Sequence, residues 1–240
     1  MKRVILAAYL LCLAVPAFAG HPDAYSAGLA AYDAGNYSTA LADFRSAAQQ
    51  RDARAQLELG AMYANGQGVP LNYAKAVKWF RVAAKQGNAH GQYNLGVAYE
   101  QGDGVAKNYS ESLKWYRLAA QQGNANAQAN VGFMYAQGHG VPQNYAEAVK
   151  WYRLAIQQGD ARAQFNLGRM YGLGEGVPRN YVEAYKWCAL SKASAPARSA
   201  AYKSSDTTLT VLAKSMTHAQ IAQAQQEASA WWAKHHAGTK

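Results

Sequence analysis

The side chains best suited to chemistry in this sequence are six histidines and two cysteines. The only adjacent histidines, His235 and His236, have no cysteine or carboxylate near them at a metal-ligand spacing. They could bind a metal weakly, but a solvated tail is the favoured interpretation. Cys12 lies in an apolar amino-terminal run, so Cys188 alone remains in the body of the chain and forms no internal disulfide. We predict no catalytic residue, no metal and no cofactor, and therefore not an enzyme.

Four Gly-x-Gly loops, at residues 66–68, 102–104, 138–140 and 174–176, raise the question of phosphate binding. A dinucleotide fingerprint needs a strand before its glycines, and these loops instead precede helical patterns that begin with asparagine. The middle residue also varies from loop to loop, which indicates an exposed position without a shared ligand role. It reads Gln67, Asp103, His139 and Glu175.

The loops belong to a repeat of 36 residues, which predicts stacked helical hairpins. Each repeat contains two helical patterns, which we call helix A and helix B. An asparagine N-cap opens helix B, and a glycine ends it in the first three repeats. Helix A is predicted over 53–64, 89–100, 125–136 and 161–172, and helix B over 73–86, 109–122, 145–158 and 181–192. A tryptophan recurs once per repeat, and packing between units is favoured over an aromatic binding strip.

The two ends of the chain depart from the repeat. Lys2 and Arg3, the apolar residues 4–15 and the small residues before Gly20 form a signal-peptide pattern over residues 1–19. We therefore expect a periplasmic or secreted protein with no transmembrane segment in the mature chain. Residues 20–52 form a first unit with a loop four residues shorter, and residues 53–191 are the four repeats. Residues 192–240 are predicted to be an irregular segment followed by a capping helix.

The net charge of +10 is spread along the chain without a dense basic stripe. A stripe of that kind is the usual sign of a nucleic-acid interface, so we expect no nucleic-acid partner.

The repeat pattern A-x-x-Q-x-x-L-G-x-x-Y-x-x-G-x-G-V-x-x-N-Y-x-x-A-x-x-W-[FY]-R-x-A-A resembles that of the Sel-one-like repeat (SLR) family, a relative of tetratricopeptide repeats. The resemblance covers residues 53–191 and, with a tetratricopeptide-like first unit, extends to residue 24. It implies an all-α fold, a right-handed α-solenoid of antiparallel helix pairs closed by a C-terminal capping helix. It also implies an adaptor or scaffold that binds a protein or peptide.

By the same resemblance, helix A lines the concave surface and presents two columns of candidate binding residues. The first column places an amide once per repeat, at Asn94, Asn130 and Asn166, where it could pair with a peptide backbone. The second column is Val97, Phe133 and Arg169, with an apolar anchor and a carboxylate partner among them. The asparagines could instead hold their own repeat together. A weak hydrolase or small-molecule site in the same groove, or an envelope scaffold that uses other surfaces, remain alternatives.

Overall fold

The computed structural model describes residues 23–236, and the predicted signal peptide lies outside them. Within this range the chain forms helices and no strand. The helices are α1 (Ala24–Asp33), α2 (Tyr37–Gln49), α3 (Ala53–Asn65), α4 (Tyr73–Lys85), α5 (Ala89–Gln101), α6 (Tyr109–Gln121), α7 (Ala125–Gln137), α8 (Tyr145–Gln157), α9 (Ala161–Leu173), α10 (Tyr181–Ser194), α11 (Ala200–Ala213) and α12 (His218–His236). Helices α3, α5, α7 and α9 are the predicted helices A, and α4, α6, α8 and α10 are the predicted helices B, each within two residues of its expected bounds.

The helix boundaries follow from capping side chains. The Asn108 Oδ1 atom accepts a 3.0 Å hydrogen bond from the Glu111 backbone amide, and the Asn88 Oδ1 atom accepts one of 2.8 Å from the Gly91 amide. Helix α5 ends at Gly102, which adopts the left-handed conformation (φ 86°) that a residue with a Cβ atom adopts only under strain. The Asn108 bond confirms the predicted asparagine cap of helix B, and Gly123 after α6 has the positive φ of 87° expected of a glycine that ends helix B.

The backbone amide of each helix-B cap is committed to helix A of the same repeat. The Asn108 amide donates a 2.8 Å hydrogen bond to the Tyr99 carbonyl, and Asn144 bonds Tyr135 in the same way. A full capping box needs this amide for the glutamate side chain at the third helical position. Glu111 therefore caps nothing and lies 3.6 Å from the Lys114 ammonium instead.

In the first three repeats, an aromatic ring of helix B packs closely against a glycine of helix A. A Cβ atom on Gly96 would lie 2.6 Å from the Tyr116 ring, and one on Gly132 would lie 2.7 Å from the Tyr152 ring. Both rings are fully buried. Glycine therefore permits the close approach of helix A and helix B, and this close approach is what lets the hairpins stack.

The tryptophan column packs on this core, as the packing interpretation predicts. Trp79, Trp115, Trp151 and Trp187 are half-buried, and each lies against an apolar cluster made by successive hairpins. The indole Nε1 atom of Trp115 is buried without a hydrogen-bond partner among the described residues.

Buried glutamines link one hairpin to the next. The Gln92 side chain donates a 3.2 Å hydrogen bond to the Ala84 carbonyl at the end of α4, and it accepts one of 2.7 Å from Gln122 after α6. The helix-A glutamine thus bridges the ends of two successive helices B. Gln56 and Gln128 repeat this arrangement one unit on either side. We call this series the glutamine ladder.

The carboxyl-terminal end closes the stack with two helices that pack on α10. The expected irregular segment is wrong for residues 200–213, which form α11. Ser205 donates a 2.9 Å hydrogen bond to the buried Ser191 hydroxyl, and the Lys192 ammonium lies 2.6 Å from the Asp206 carboxylate. These polar contacts fix a helix whose apolar pattern is weak. The capping helix α12 is confirmed. None of the helices within residues 23–236 is long and apolar enough to cross a membrane.

Candidate functional site

The candidate residues on helix A meet at grooves between successive hairpins. Asn94 and Val97 line a groove of about 360 Å³ between α3, α4 and α5. Its walls include Ala61, Ala64 and Phe80. Phe133, Asn166 and Arg169 meet in the corresponding place two repeats further on. The structure therefore brings the two predicted columns together, because Asn94 and Val97 share the first groove and Asn166 shares the later one with Phe133 and Arg169.

Side-chain size controls how open each groove is. At equivalent positions 72 residues apart, Phe133 replaces Ala61 and Arg169 replaces Val97. The larger side chains fill most of the space, and the later cavity shrinks to about 10 Å³. Phe133 remains more than one-third exposed, so it presents a ring to solvent beside the Arg169 guanidinium. The early groove is thus a receptacle, whereas the later one is a raised surface.

The groove between these two holds a carboxylate. Glu100 stands where the first and third repeats have Ala64 and Ala136, and its Oε2 atom accepts a 2.6 Å hydrogen bond from the Tyr116 hydroxyl. Burial raises the pKa of Tyr116, and the hydrogen bond to Glu100 and its negative charge raise it further. The Tyr116 hydroxyl therefore stays protonated and serves as a fixed donor.

The three asparagines are not equivalent. Asn130 on α7 acts on the Tyr116 hydroxyl of α6, in the preceding hairpin, where side-chain hydrogen bonding lowers the pKa that burial and Glu100 raise. Phe80 has no hydroxyl at the position facing Asn94, and no hydrogen bond joins Asn166 to Tyr152. Within the described residues, the half-buried amides of Asn94 and Asn166 make no hydrogen bond. Asn130 therefore interacts with the preceding repeat and not within its own, and ligand binding by the amides of Asn94 and Asn166 stays a prediction.

A second carboxylate stands at the amino-terminal end of the first column. Glu58 occupies the position of the later asparagines, and burial raises its pKa. The charge of His90 opposes this shift, and that of Asp33 adds to it. Glu100 lies two grooves further along the chain, and Arg169 lies in the groove beyond it, which Glu175 also lines.

The variable loop residues are less exposed than predicted. His139 is half-buried and stacks on Tyr109, with ring centroids 4.3 Å apart, and it meets Phe133 edge-on at 5.8 Å. The Gln67 side chain likewise accepts a 2.7 Å hydrogen bond from the Tyr32 hydroxyl of the preceding hairpin. At these two positions, the residue between the glycines therefore contacts the preceding hairpin. A comparison of loop residues alone does not reveal this, because different side chains perform the same task.

The remaining chemical candidates are structural. His235 stacks on Trp231 at 4.1 Å. Cys188 is buried, and burial raises the pKa of its thiol to about 12. Among residues 23–236, no group of three or more histidines, cysteines or carboxylates is placed to hold a metal ion. Within residues 23–235, no histidine is hydrogen-bonded to a serine, cysteine or carboxylate.

Comparisons with known proteins agree with this architecture. The Sel1 repeat family model matches residues 53–88, 89–124, 125–160 and 161–193. A Sel1 repeat protein from Oxalobacter formigenes is similar in structure, with 37% sequence identity and a TM-score of 0.68 over 71% of this chain and 68% of its own. A comparison with curated proteins found no match.

A second solved structure matches a longer part of the chain. It is c5321, a protective antigen present in uropathogenic Escherichia coli strains that displays an SLR fold. It is 30% identical, with a TM-score of 0.68, over 87% of this chain and 53% of its own length. This chain therefore spans about half the length of that antigen.

Proposed function

This chain belongs to the Sel1 repeat family, and from that premise we propose that it is an adaptor that binds an extended segment of a partner protein along its helices A. Sel1 repeats are generally protein-interaction modules. In the proposed complex, α3, α5, α7 and α9 line the concave side of the solenoid. The partner segment runs across the grooves that these helices form.

The observation that carries the proposal is the pair of unpartnered amides of Asn94 and Asn166, set in equivalent grooves two repeats apart. Each amide offers a donor and an acceptor, which are the groups that an extended backbone needs. The open groove beside Val97 receives a side chain of the segment, and Phe133 packs against another. Because aromatic and arginine side chains dominate binding energy at protein interfaces, Phe133 and Arg169 contribute most of the affinity.

The charged side chains in the row of grooves determine which residues the segment must carry. Glu100 attracts a basic side chain, whereas Arg169 pairs with a carboxylate in the bidentate geometry that a guanidinium favours. The segment therefore carries a basic residue and an acidic residue in a fixed order. Buried charges that lack their partner cost free energy, so a segment with the reverse order binds poorly.

The export of this adaptor belongs to the same proposal. Its support is the sequence of residues 1–19, where a basic start, an apolar run too short to span a bilayer and small residues follow one another. We expect the mature protein to begin at Gly20 and to accumulate in the periplasm or the medium. Amino-terminal sequencing of the fractionated protein tests this, and a chain that keeps Met1 would contradict export.

The binding face is tested by photocrosslinking in cells. A photoreactive amino acid at Val97 should give a discrete adduct, and Arg169→Glu in the same protein should reduce its yield at least tenfold. The matched control carries the photoreactive group at Thr39, an exposed residue of α2 outside the grooves. Adducts from Thr39 and none from Val97 would place binding elsewhere. If Arg169→Glu leaves the adduct yield unchanged, the proposed pairing of Arg169 with a carboxylate of the segment is wrong.

A further inference from the structure

The capping helix α12 shows how a helix docks on the outer face of helix B. The Glu227 carboxylate of α12 lies 3.4 Å from the Lys186 ammonium of α10. One turn further along α12, Trp231 meets Trp187 edge-on, with ring centroids 5.6 Å apart. Ala228 stands between these two contacts and faces the Leu190 side of α10. The α12 helix thus presents a carboxylate, a small residue and an aromatic ring along one face.

The surface that α12 covers is a four-residue stripe, Glu183, Lys186, Trp187 and Leu190. The same stripe recurs on the two preceding helices B. It reads Glu147, Lys150, Trp151 and Leu154 on α8, and Glu111, Lys114, Trp115 and Leu118 on α6. We call these the α8 stripe and the α6 stripe. On α4, Lys75 replaces the glutamate and Val82 replaces the leucine, so that helix carries a different surface.

The two repeated stripes are uncovered. The Lys186 side chain is 13% exposed beneath α12, whereas those of Lys150 and Lys114 are 69% and 61% exposed. Leu190 is 2% exposed, whereas Leu154 and Leu118 are 41% and 39% exposed. A leucine that is buried in one copy of a repeat and exposed in two others marks a surface with room for the same kind of helix.

Each uncovered stripe shares a side-chain contact with the stripe that binds α12. The Glu147 and Lys150 side chains pair at 2.5 Å, as Glu183 and Lys186 do. The Lys114 ammonium lies 5.8 Å from the centre of the Trp115 ring, close to the 5.3 Å between Lys186 and Trp187. The Trp187 indole donates to Glu183, whereas the Trp115 indole has no acceptor within the described residues.

We propose that the α6 and α8 stripes bind an amphipathic helix of a partner protein that carries a carboxylate and, four residues later, an aromatic ring, with a small residue between them. The carboxylate pairs with the stripe lysine, the ring packs on the stripe tryptophan, and the small residue lets the helix approach the leucine. Each stripe holds a glutamate beside its lysine, and this negative charge disfavours an anionic lipid surface at the same place. This docking is independent of the helix-A grooves.

The probe is a labelled peptide with the sequence of residues 217–236, which contains the α12 face itself. Added to the full mature chain, it should bind saturably, as measured by fluorescence anisotropy. The double variant Leu118→Asp/Leu154→Asp should weaken binding at least tenfold, because it places charges where the helix must pack. Lys114→Glu/Lys150→Glu should weaken it similarly through the lost pairing. Leu173→Asp is the matched control, an exposed leucine at the end of helix α9 that lies outside the stripes and should leave the affinity unchanged.

Peptide variants test the chemistry of the partner. Glu227→Gln and Trp231→Ala in the peptide should each reduce affinity several-fold. The absence of saturable binding overturns the proposal, and so does binding that the leucine double variant leaves intact. Binding to vesicles of anionic phospholipid, lost in the lysine double variant and without peptide binding, would overturn it in favour of a membrane surface. Because none of these substitutions touches Val97 or Arg169, a failure here is distinct from a failure of groove binding.

Discussion

The two middle repeats and the fourth repeat follow the same sequence pattern, but they differ in the side chains that pack at equivalent positions. In the middle repeats, Tyr116 and Tyr152 fill the space against a helix-A glycine, whereas the fourth repeat has Cys188 there, with its sulfur packed on Gly168. The glutamine ladder runs through the middle repeats and stops at Gln164, whose buried amide has no hydrogen-bond partner within the described residues. Two buried serines, Ser191 and Ser205, join α10 to α11 instead. Extending a stack and ending it thus require different side chains at the same positions.

The largest expected effect separates the two regions at the ring position. Tyr152→Ala removes a fully buried ring and should lower the free energy of unfolding by about 3–5 kcal/mol. Cys188→Ala, at the equivalent site, removes a single sulfur atom and should cost about 1 kcal/mol. Urea denaturation followed by circular dichroism measures both. Equal losses would show that the fourth repeat packs like the middle repeats.

The next effect concerns the glutamine ladder. Gln128→Met keeps the side-chain shape but removes the bond to the Ala120 carbonyl and should destabilise the protein by about 1–3 kcal/mol. Gln164→Met replaces a buried amide that is already unpaired, so it should be neutral or slightly stabilising. Thermal melts of the two variants should therefore shift in different directions or by clearly different amounts. A matching loss for Gln164→Met would mean that its amide is bonded in solution.

A third effect, confined to alkaline pH, is expected at the stack end. Because burial raises the pKa of Cys188 from 9.0 in a free thiol to about 12, the folded state holds this proton more tightly than the unfolded state. Its contribution to stability is therefore present below pH 9 and is lost as the pH rises from about 9 to 12. The difference between wild type and Cys188→Ala isolates this part from the other groups that titrate there. A difference that stays constant across this range would mean that the thiol is not buried.

The thiol itself gives a direct check on that burial. Ellman's reagent should modify Cys188 in the native protein far more slowly than in urea, since the thiolate is scarce and the site is closed. Rapid native modification would indicate that the contact between α10 and α11 opens frequently.

The architecture was predictable because the repeat reports the same boundary four times. Each asparagine cap and each glycine end marks a helix boundary independently. The predicted and observed bounds of the helices agree within two residues. The helix α11 escaped prediction because its residues are rich in serine and threonine, and its position depends on pairs such as Ser191 and Ser205 that are distant in sequence.

The candidate site was predictable only in part. The positions of the columns that contain Asn94 and Arg169 were predictable, because the position of a residue within the repeat determines which face of helix A it occupies. The contact between Glu100 and Tyr116 was missed because Glu100 departs from the repeat, and a departure carries no periodic signal. The glutamine ladder did carry one, because the spacing of 30 residues from Gln92 to Gln122 recurs in the repeats on either side.

The glutamine ladder also bears on how the chain changes in length over evolution. The bond from each ladder glutamine to the preceding helix B joins a hairpin to its neighbour, and its donor and acceptor residue types are the same at each step. Duplication or loss of a 36-residue segment before α9 therefore reproduces an existing junction and leaves the terminal junction intact. Selection can lengthen the row of grooves one unit at a time without designing a new interface. In the last hairpin, the buried Gln164 amide has no hydrogen-bond partner within the described residues. A copy of this hairpin in the middle of the row would therefore interrupt the glutamine ladder.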